Sequence, residues 1–379
     1  MSEIQNLLGK RRDLVIAVAL LFFAAIVPFL PMVDTPLLDD CVTALAYVVM
    51  ALGLNLVVGF AGLLDLGYVA FFAVGAYTMG WLGSGFFHEA NGGAGVHFGA
   101  SEFAQNIPGI HLNFLFVVIA AVILAAIAGA VIGIPTLRLR GDYIAIVTLA
   151  FGEIIHTLAV NEPKIGGTAL TAGRQGITPV DEISLPGAGT FNRLEPDYWY
   201  WTVLVVVAIV LIVNFRLRDS RLGRAWIAIR EDEVAAASMG VPLVRTKLAA
   251  YATGAAFGGI SGAFLGSYLN TVNADQFEFS FSIFILAMII LGGLGSIWGT
   301  VLGALALSFI NTRLIPDVLN ERSQDWFNFD LTQLSFGIFG FLLVIMMVLR
   351  PQGLIPERRR KMELTEGIGT DESVYEARA

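Results

Sequence analysis

Apolar residues run through this chain in long uncharged blocks, without the strict alternation of a half-buried strand or the polar faces of a soluble helix. The blocks are Leu14 to Val33, Cys41 to Leu64, Leu66 to Phe87, Leu112 to Leu137, Tyr198 to Phe215, Leu248 to Ala274, Phe279 to Thr312 and Leu331 to Leu349. A further block, Tyr143 to Val160, is interrupted by Glu153 and His156. A hydrocarbon layer about 30 Å thick takes roughly 20 helical residues to cross, so the blocks have the length of membrane spans. Backbone groups in lipid must bond to one another, which leaves helices or a closed barrel, and the absence of period-2 alternation excludes the barrel. The expectation is an all-α, polytopic membrane helical bundle.

The charges between the blocks set a topology. With the amino terminus cytoplasmic, Lys and Arg gather in every second connection, as the positive-inside bias requires. The groups are Lys10 to Arg12; Arg138 and Arg140; Arg216 through Lys247; and Arg350 onward, together 18 of the 23 Lys and Arg. Phe279 to Thr312 is the parity problem, being long for one crossing and short for two, with Gly292, Gly293 and Gly295 at its middle. A single crossing would put Arg358 to Lys361 outside, so a glycine-broken re-entrant or double-pass hairpin is expected. The predicted architecture is about eight full spans plus that hairpin, both termini cytoplasmic. Residues 1–13 form a cytoplasmic segment, 14–350 the transmembrane domain, 216–247 a cytoplasmic loop, and 351–379 a cytoplasmic tail expected to be disordered. External loops fall at 84–111, 161–197 and 313–330.

Composition agrees. Of 379 residues, 56% are hydrophobic and 14% charged, and the mean hydropathy is +0.74, beyond the ordinary range of a soluble domain. Membrane lipid is the expected surrounding, and no nucleic-acid partner is expected. The first block follows Lys10 to Arg12 but ends in Pro28 and Pro31 without a small-residue cleavage site, so it is expected to be a permanent helix. The one cysteine, Cys41, has no internal disulfide partner, and no His/Cys spacing suits a metal. Gly254, Gly258, Gly262 and Gly266, and again Gly295, Gly299 and Gly303, recur every four residues. Such stripes let a neighbouring backbone approach closely, in packing within the chain or, less favoured, between subunits.

The candidate chemistry is that of a passage, not of a reaction. No GxxxxGK[ST] phosphate loop occurs, so any ATP and Mg would be held by a partner subunit; no cofactor, metal or catalytic residue is expected in this chain. The longest cytoplasmic loop centres on Arg230-Glu-Asp-Glu-Val-Ala-Ala-Ala-Ser-Met-Gly-Val-Pro242. It reads as one short helix, with Glu231, Asp232 and Glu233 in its first turn and Gly240 and Pro242 as its stop. Val234, Ala237, Ser238 and Val241 share a small, apolar face suited to docking in a groove of another protein, or to an ordinary connection.

That segment is similar to the coupling helix through which ABC importer permeases meet their ATPase subunits, although the glutamate stands one position farther from the glycine, at Glu233, than in the usual pattern. Two longer stretches, Leu52-Gly-Leu-Asn-Leu-Val-Val-Gly-Phe-Ala-Gly-Leu-Leu-Asp-Leu-Gly-Tyr68 and Leu137-Arg-Leu-Arg-Gly-Asp-Tyr-Ile-Ala-Ile-Val-Thr-Leu-Ala-Phe-Gly-Glu153, resemble the LivM type of branched-chain amino acid ABC permease. With the loop and the hairpin, the resemblance spans roughly residues 40–310. It implies one permease subunit of a bacterial inner-membrane importer for leucine, isoleucine and valine. The implied partners are a second homologous permease, two ATPase subunits that carry ATP and Mg, and an external amino-acid-binding protein. Arg230, Glu231, Asp232, Glu233, Ala235, Ala236 and Gly240 are then the ATPase-coupling residues. The chain departs from the family in a long Gly-rich region at 84–111 and an expanded Gly166-to-Ile177 segment.

Polar groups within apolar helices are costly and mark pathways, and broken helices expose backbone groups to a zwitterionic substrate. The pathway candidates are Asn55, Gly62, Asp65, Gly67, Tyr68, Asp142, Tyr143, Glu153, Gly292, Gly293 and Gly295. Each has a structural alternative: Asp65 and Asp142 lie near span ends, Glu153 and His156 could pair on one helix face, and the glycines could serve packing. Related permeases carry urea or short amides, and a stand-alone secondary carrier could share the helix count. A membrane-embedded enzyme would need a motif that is missing here; Asp39-Asp40 is a lone pair, and His88, His97 and His111 lie in one expected external loop.

Overall fold

In the computed structural model the apolar blocks are helices, and the described residues are 20–30, 33–100, 104–136, 143–165, 167–185, 189–191, 195–320, 334–350 and 352–356. The helices are α1 (Leu20–Phe29), α2 (Thr35–Phe60), α3 (Val69–Leu82), α4 (Phe114–Thr136), α5 (Tyr143–Val160) and α6 (Pro196–Arg218). There follow α7 (Arg221–Glu231), α8 (Glu233–Ser238), α9 (Leu243–Tyr268), α10 (Phe279–Gly292), α11 (Ile297–Asp317) and α12 (Ser335–Leu349). Six of these, α2, α4, α5, α6, α9 and α11, are long and apolar enough to cross a membrane. Against the eight full spans expected, the described residues hold six helices of spanning length and four shorter apolar ones, α1, α3, α10 and α12.

Two blocks depart from simple crossings for visible reasons. Leu66 to Phe87 yields only α3, because residues 61–68 are non-helical and the chain leaves the helix at Gly83 to enter a small sheet. The hairpin block divides as expected at its glycines: Gly293 (φ 121°) and Gly295 (φ 81°) adopt backbone open to glycine. Ser296 then starts α11 by accepting the Gly299 N–H at 3.1 Å. Elsewhere Asp34 caps α2 through the Leu37 N–H at 3.1 Å, with a proline in the first turn. The last turn of α2, Asn55–Phe60, widens into a π-helix.

At the core α9 runs between α2, α3 and α4, and its glycine stripe lets them close in. A Cβ on Gly262 would lie 2.1 Å from the Phe72 carbonyl oxygen, and one on Gly254 2.4 Å from the Val57 side chain. Gly303 does the same for α11 against α10, where a Cβ would meet the Met288 oxygen at 2.1 Å. Both stripes therefore pack within the chain. By contrast, the outward face of α4 (Leu115, Phe116, Ile119, Ile123, Ile127, Val131 and Ile134) is exposed and wholly apolar.

The bundle has two polar ends. One carries a three-stranded sheet of order β1-β3-β2, from Gly83–Ser84, Val96–Phe98 and Ile110–Leu112, together with the segment after α5. These meet where Asp181 N–H bonds to the Gly83 carbonyl at 2.7 Å and Ser84 pairs with Val180, and the segment after α5 also pairs, Ile177 with Val272, with the connection after α9. The other end carries α7, α8 and the α10–α11 turn. There residues 352–356 fold back on the turn, with Leu354 N–H on the Leu291 carbonyl and Ile355 N–H on the Gly292 carbonyl, both 2.9 Å. The expected tail therefore begins with a packed segment; the disorder expected beyond 356, and the segment 1–13, lie outside the described residues. The loop expected from 313 starts later, since helix continues to Asn320.

Candidate functional site

The loop between α6 and α9 forms two helices where one was expected, and Asp232 is the joint. Its backbone is extended (φ −156°, ψ 110°), and its carboxylate accepts the Val234 N–H at 2.8 Å and the Ala235 N–H at 3.0 Å. Arg230 and Glu231 thereby belong to the last turn of α7 and not to the first turn of α8. Trp226, fully buried, holds α7 on α9 by donating its indole N–H to the Thr246 carbonyl at 2.7 Å. Glu233 pairs at 2.8 Å with Lys247, whose side chain is only 4% exposed. Ala236 faces inward, while Ala235, Val234 (71% exposed) and Met239 (85%) project away from the bundle. Gly240, at φ 85°, closes the turn in a conformation that side chains rarely adopt. Val234 and Met239 are thus exposed apolar side chains on a capped, pinned helix.

Arg230 ties this unit to the broken end of α2. Its guanidinium donates to the Gly59 carbonyl, and its side chain lies over Gly62, where a Cβ would come within 2.6 Å of Arg230 Cγ. Gly62 also has φ 69°. Gly59 in turn faces the hairpin turn: a Cβ there would be 2.6 Å from the Gly295 nitrogen. Asn55, wholly buried, accepts the Gly295 N–H at 2.9 Å. The turn glycines are filled from behind by the 352–356 segment, since a Cβ on Gly293 would meet the Ile355 oxygen at 2.7 Å. Arg230, Gly59, Gly62, Asn55 and Gly295 thus form one continuous contact.

From Gly62 the chain runs non-helically back into the bundle, and side chains from other helices take up its backbone groups. Thr148 Oγ1 on α5 accepts the Leu66 N–H at 3.0 Å, Asp65 accepts the Gly67 N–H at 2.9 Å, and Ser282 on α10 accepts the Val69 N–H at 3.1 Å. Gly67 crosses α5 so closely that a Cβ would sit 1.8 Å from the Thr148 carbonyl oxygen. Tyr68 donates to the Gly254 carbonyl at 2.6 Å. Asp65 is 2% exposed, and its second oxygen is buried without a partner.

The structure places α5 differently from α4. Its outward face holds Tyr143 (68% exposed), Ile146, Ile154 and Leu158, and among them the exposed carboxylate of Glu153. No ion pair joins Glu153 to His156, whose Nε2 is buried without a partner. Asp142 lies outside the described residues. The candidates therefore divide into a joint, buried at Asn55, Asp65, Gly67, Tyr68, Gly292, Gly293 and Gly295 and exposed at Gly62, and an outward face (Tyr143, Glu153). Sequence reading missed Arg230 as the link, Thr148 and Ser282 as backbone acceptors, and Lys247 as the partner of Glu233. A lysine directly before the apolar block that starts at Leu248 was the available signal for the last.

At the sheet end, His111 Nδ1 stands 2.8 Å from an Asp181 carboxylate oxygen, and the His97 ring stacks on His111 at 5.3 Å. Burial pushes the Asp181 carboxyl up, and the hydrogen bond with His111 opposes that. Among the described residues no group of three or more His, Cys, Asp or Glu could hold a metal.

Residues 37–349 match the family of permease components of branched-chain amino acid transport systems. The chain belongs to that family. Among curated members of this permease family, the high-affinity branched-chain amino acid transport permease LivM of Escherichia coli K12 is 36% identical over 375 residues, covering 94% of this chain and 78% of the relative. The probable LivM of Methanocaldococcus jannaschii is 28% identical, covering 82% and 91%. Another permease, LivH of Escherichia coli K12, is 25% identical over 168 residues, covering 44% of this chain and 49% of its own length. No solved structure matches the chain.

Proposed function

We propose that this protein is the membrane-spanning permease subunit of an ABC importer that moves leucine, isoleucine and valine inward. The match along residues 37–349 carries this reading, and the substrate class comes from the names of the relatives. A second homologous permease completes the passage, two separate ATPase subunits supply ATP hydrolysis, and an external binding protein delivers substrate. The similarity to LivH as well as LivM supports a two-permease system.

In this reading the α8 end is cytoplasmic, because Arg216, Arg218, Arg221, Arg224, Arg230, Arg245 and Lys247 cluster there. The ATPase subunits grip Val234, Ala235 and Met239. Movement of α8 passes through α7 to Arg230, and from Arg230 to Gly59, Gly62 and the hairpin turn. The sheet end, outside, receives the binding protein. The passage runs along the outward face of α5, where Glu153 would be costly against lipid and is suited to a water-filled path that admits the ammonium of an amino acid.

ATP-driven uptake of labelled leucine in proteoliposomes tests the proposal, with the intact complex compared against an Ala235→Glu, Gly240→Trp double variant. Uptake that needs ATP and binding protein and is lost in the variant is expected. Leucine uptake by the purified chain alone, unchanged in the variant, would instead make it a secondary carrier. Glu153→Gln is expected to lower the uptake rate about tenfold, about 1.4 kcal/mol in the barrier, with ATPase subunits still bound.

A further inference from the structure

A cavity of about 860 Å³ lies on the flank of the bundle between α1, α2, α6 and α11, reaching Ile355 behind the α10–α11 turn at one end and lined by neither Glu153 nor the joint's own residues. On α11 it is lined from Trp298 to Thr312 by residues three or four apart, one stripe of a helix. At 1.5 Å per residue that stripe is about 21 Å long. Along its length the wall is aliphatic and aromatic; Asp40, Cys41 and Thr312 stand at one end, and at the other the sole polar group is the indole N–H of Trp298, buried with no partner among the described residues. The Tyr200 hydroxyl is already given to the Ala24 carbonyl at 2.7 Å. The flank is laterally open, with Phe23 65% and Phe309 52% exposed.

Apolar walls hold no water, and a zwitterionic amino acid would find charged partners at one end only. The shape asks for a long apolar chain with a single polar end. Charge at that end selects the head. Arg313 bonds Asp40 at 2.7 Å and reaches Asp34 at 3.5 Å, while Asp39 accepts the Tyr268 hydroxyl. Asp34, Asp40 and Asp317 around the one Arg313 guanidinium leave the rim negative, which attracts an ammonium and repels an anionic head.

We propose that this groove is a lipid site that holds an acyl chain of a zwitterionic, amine-headed phospholipid, its head at the Asp34, Asp40 and Arg313 rim. The proposal rests on the reading of the chain as a membrane permease, but not on which solute it carries. The ordered lipid wedges α1 against α11.

The test is fluorescence quenching in the reconstituted complex by phospholipids brominated on the acyl chain. The Trp298 signal is taken as the difference between wild type and Trp298→Phe. Brominated phosphatidylethanolamine should half-quench it at a mole fraction at least threefold below that of brominated phosphatidylglycerol. An Asp34→Asn, Asp40→Asn pair should bring that ratio towards one, and Ala306→Phe, which fills the groove, should abolish the selective quenching. Equal quenching by the two lipids in wild type overturns the proposal without needing any variant. So does efficient disulfide cross-linking of Leu302→Cys to the second permease, because the groove is then a subunit interface. Loss of ATP-driven leucine uptake in the wild-type complex, with selective quenching intact, would sink the importer reading and leave the lipid site standing.

Discussion

At the residue scale, Arg230 concentrates the argument. A hydrogen bond from a charged donor contributes about 1.5–3 kcal/mol, and this one joins the docking helix unit to the carbonyl of Gly59. Arg230→Ala should therefore cut ATP-driven uptake roughly ten- to hundredfold while the complex still hydrolyses ATP, read as ATP consumed per leucine moved. An unchanged ratio would show that the contact transmits nothing. Gly67 is the steric counterpart. A methyl group there would collide with the Thr148 carbonyl, and overpacking a tight contact costs about 1–3 kcal/mol. Gly67→Ala should lower the melting temperature of the purified protein, and a variant as stable as wild type would mean that α5 can step aside. The sequence marked Gly67 as special without saying why, because the crossing helix is more than 80 residues away. Asp65 was marked as well, yet proximity to a block's end suggested solvation, whereas the folded chain buries it.

At the scale of elements, the blocks announced the helices because lipid leaves the backbone few choices. What they could not announce is where a helix gives way to extended chain. Leu64 and Leu66 are as apolar as their helical neighbours, and only the offered hydroxyls of Thr148 and Ser282 make the non-helical course affordable. The loop was misread for a different reason. Consecutive acids suggested one helix start, but Asp232 alone has the capping geometry, and it ends one helix while starting the next. Asp232→Ala should destabilise α8 by about 1 kcal/mol. Val234→Asp with Met239→Asp should leave the isolated permease within about 0.5 kcal/mol of wild type, as exposed substitutions do. The same pair should abolish copurification of the ATPase subunits. Retained copurification would move the docking surface elsewhere.

At the scale of the whole molecule, α4 and α5 present two kinds of exterior. The α4 face is apolar throughout, and the α5 face carries Glu153 among apolar neighbours. Lipid suits the first and a second subunit across a wet passage suits the second. Single cysteines at Ile146 and Leu158 should therefore cross-link to the second permease in membranes, and one at Ile123 should not. Cross-links confined to Ile123 would reverse the two faces. The sequence showed the difference between the blocks at Glu153, but not that this carboxylate lies on the outward face, which only the folded chain reveals.

The return of residues 352–356 to the α10–α11 turn has a consequence for how the protein is made. Leu354 and Ile355 supply two backbone bonds to Leu291 and Gly292, so the turn that touches Asn55 and Gly59 is complete only after the ribosome has passed the last helix. Chains emerge from the amino end and fold as they emerge; this joint is therefore fastened last, by residues that stand outside every apolar block. A premature stop just after Leu349 would spare every helix and still leave the latch open. Such a protein would insert into the membrane with every described helix and be lost to quality control, or idle, for want of the short segment 352–356 that closes the turn.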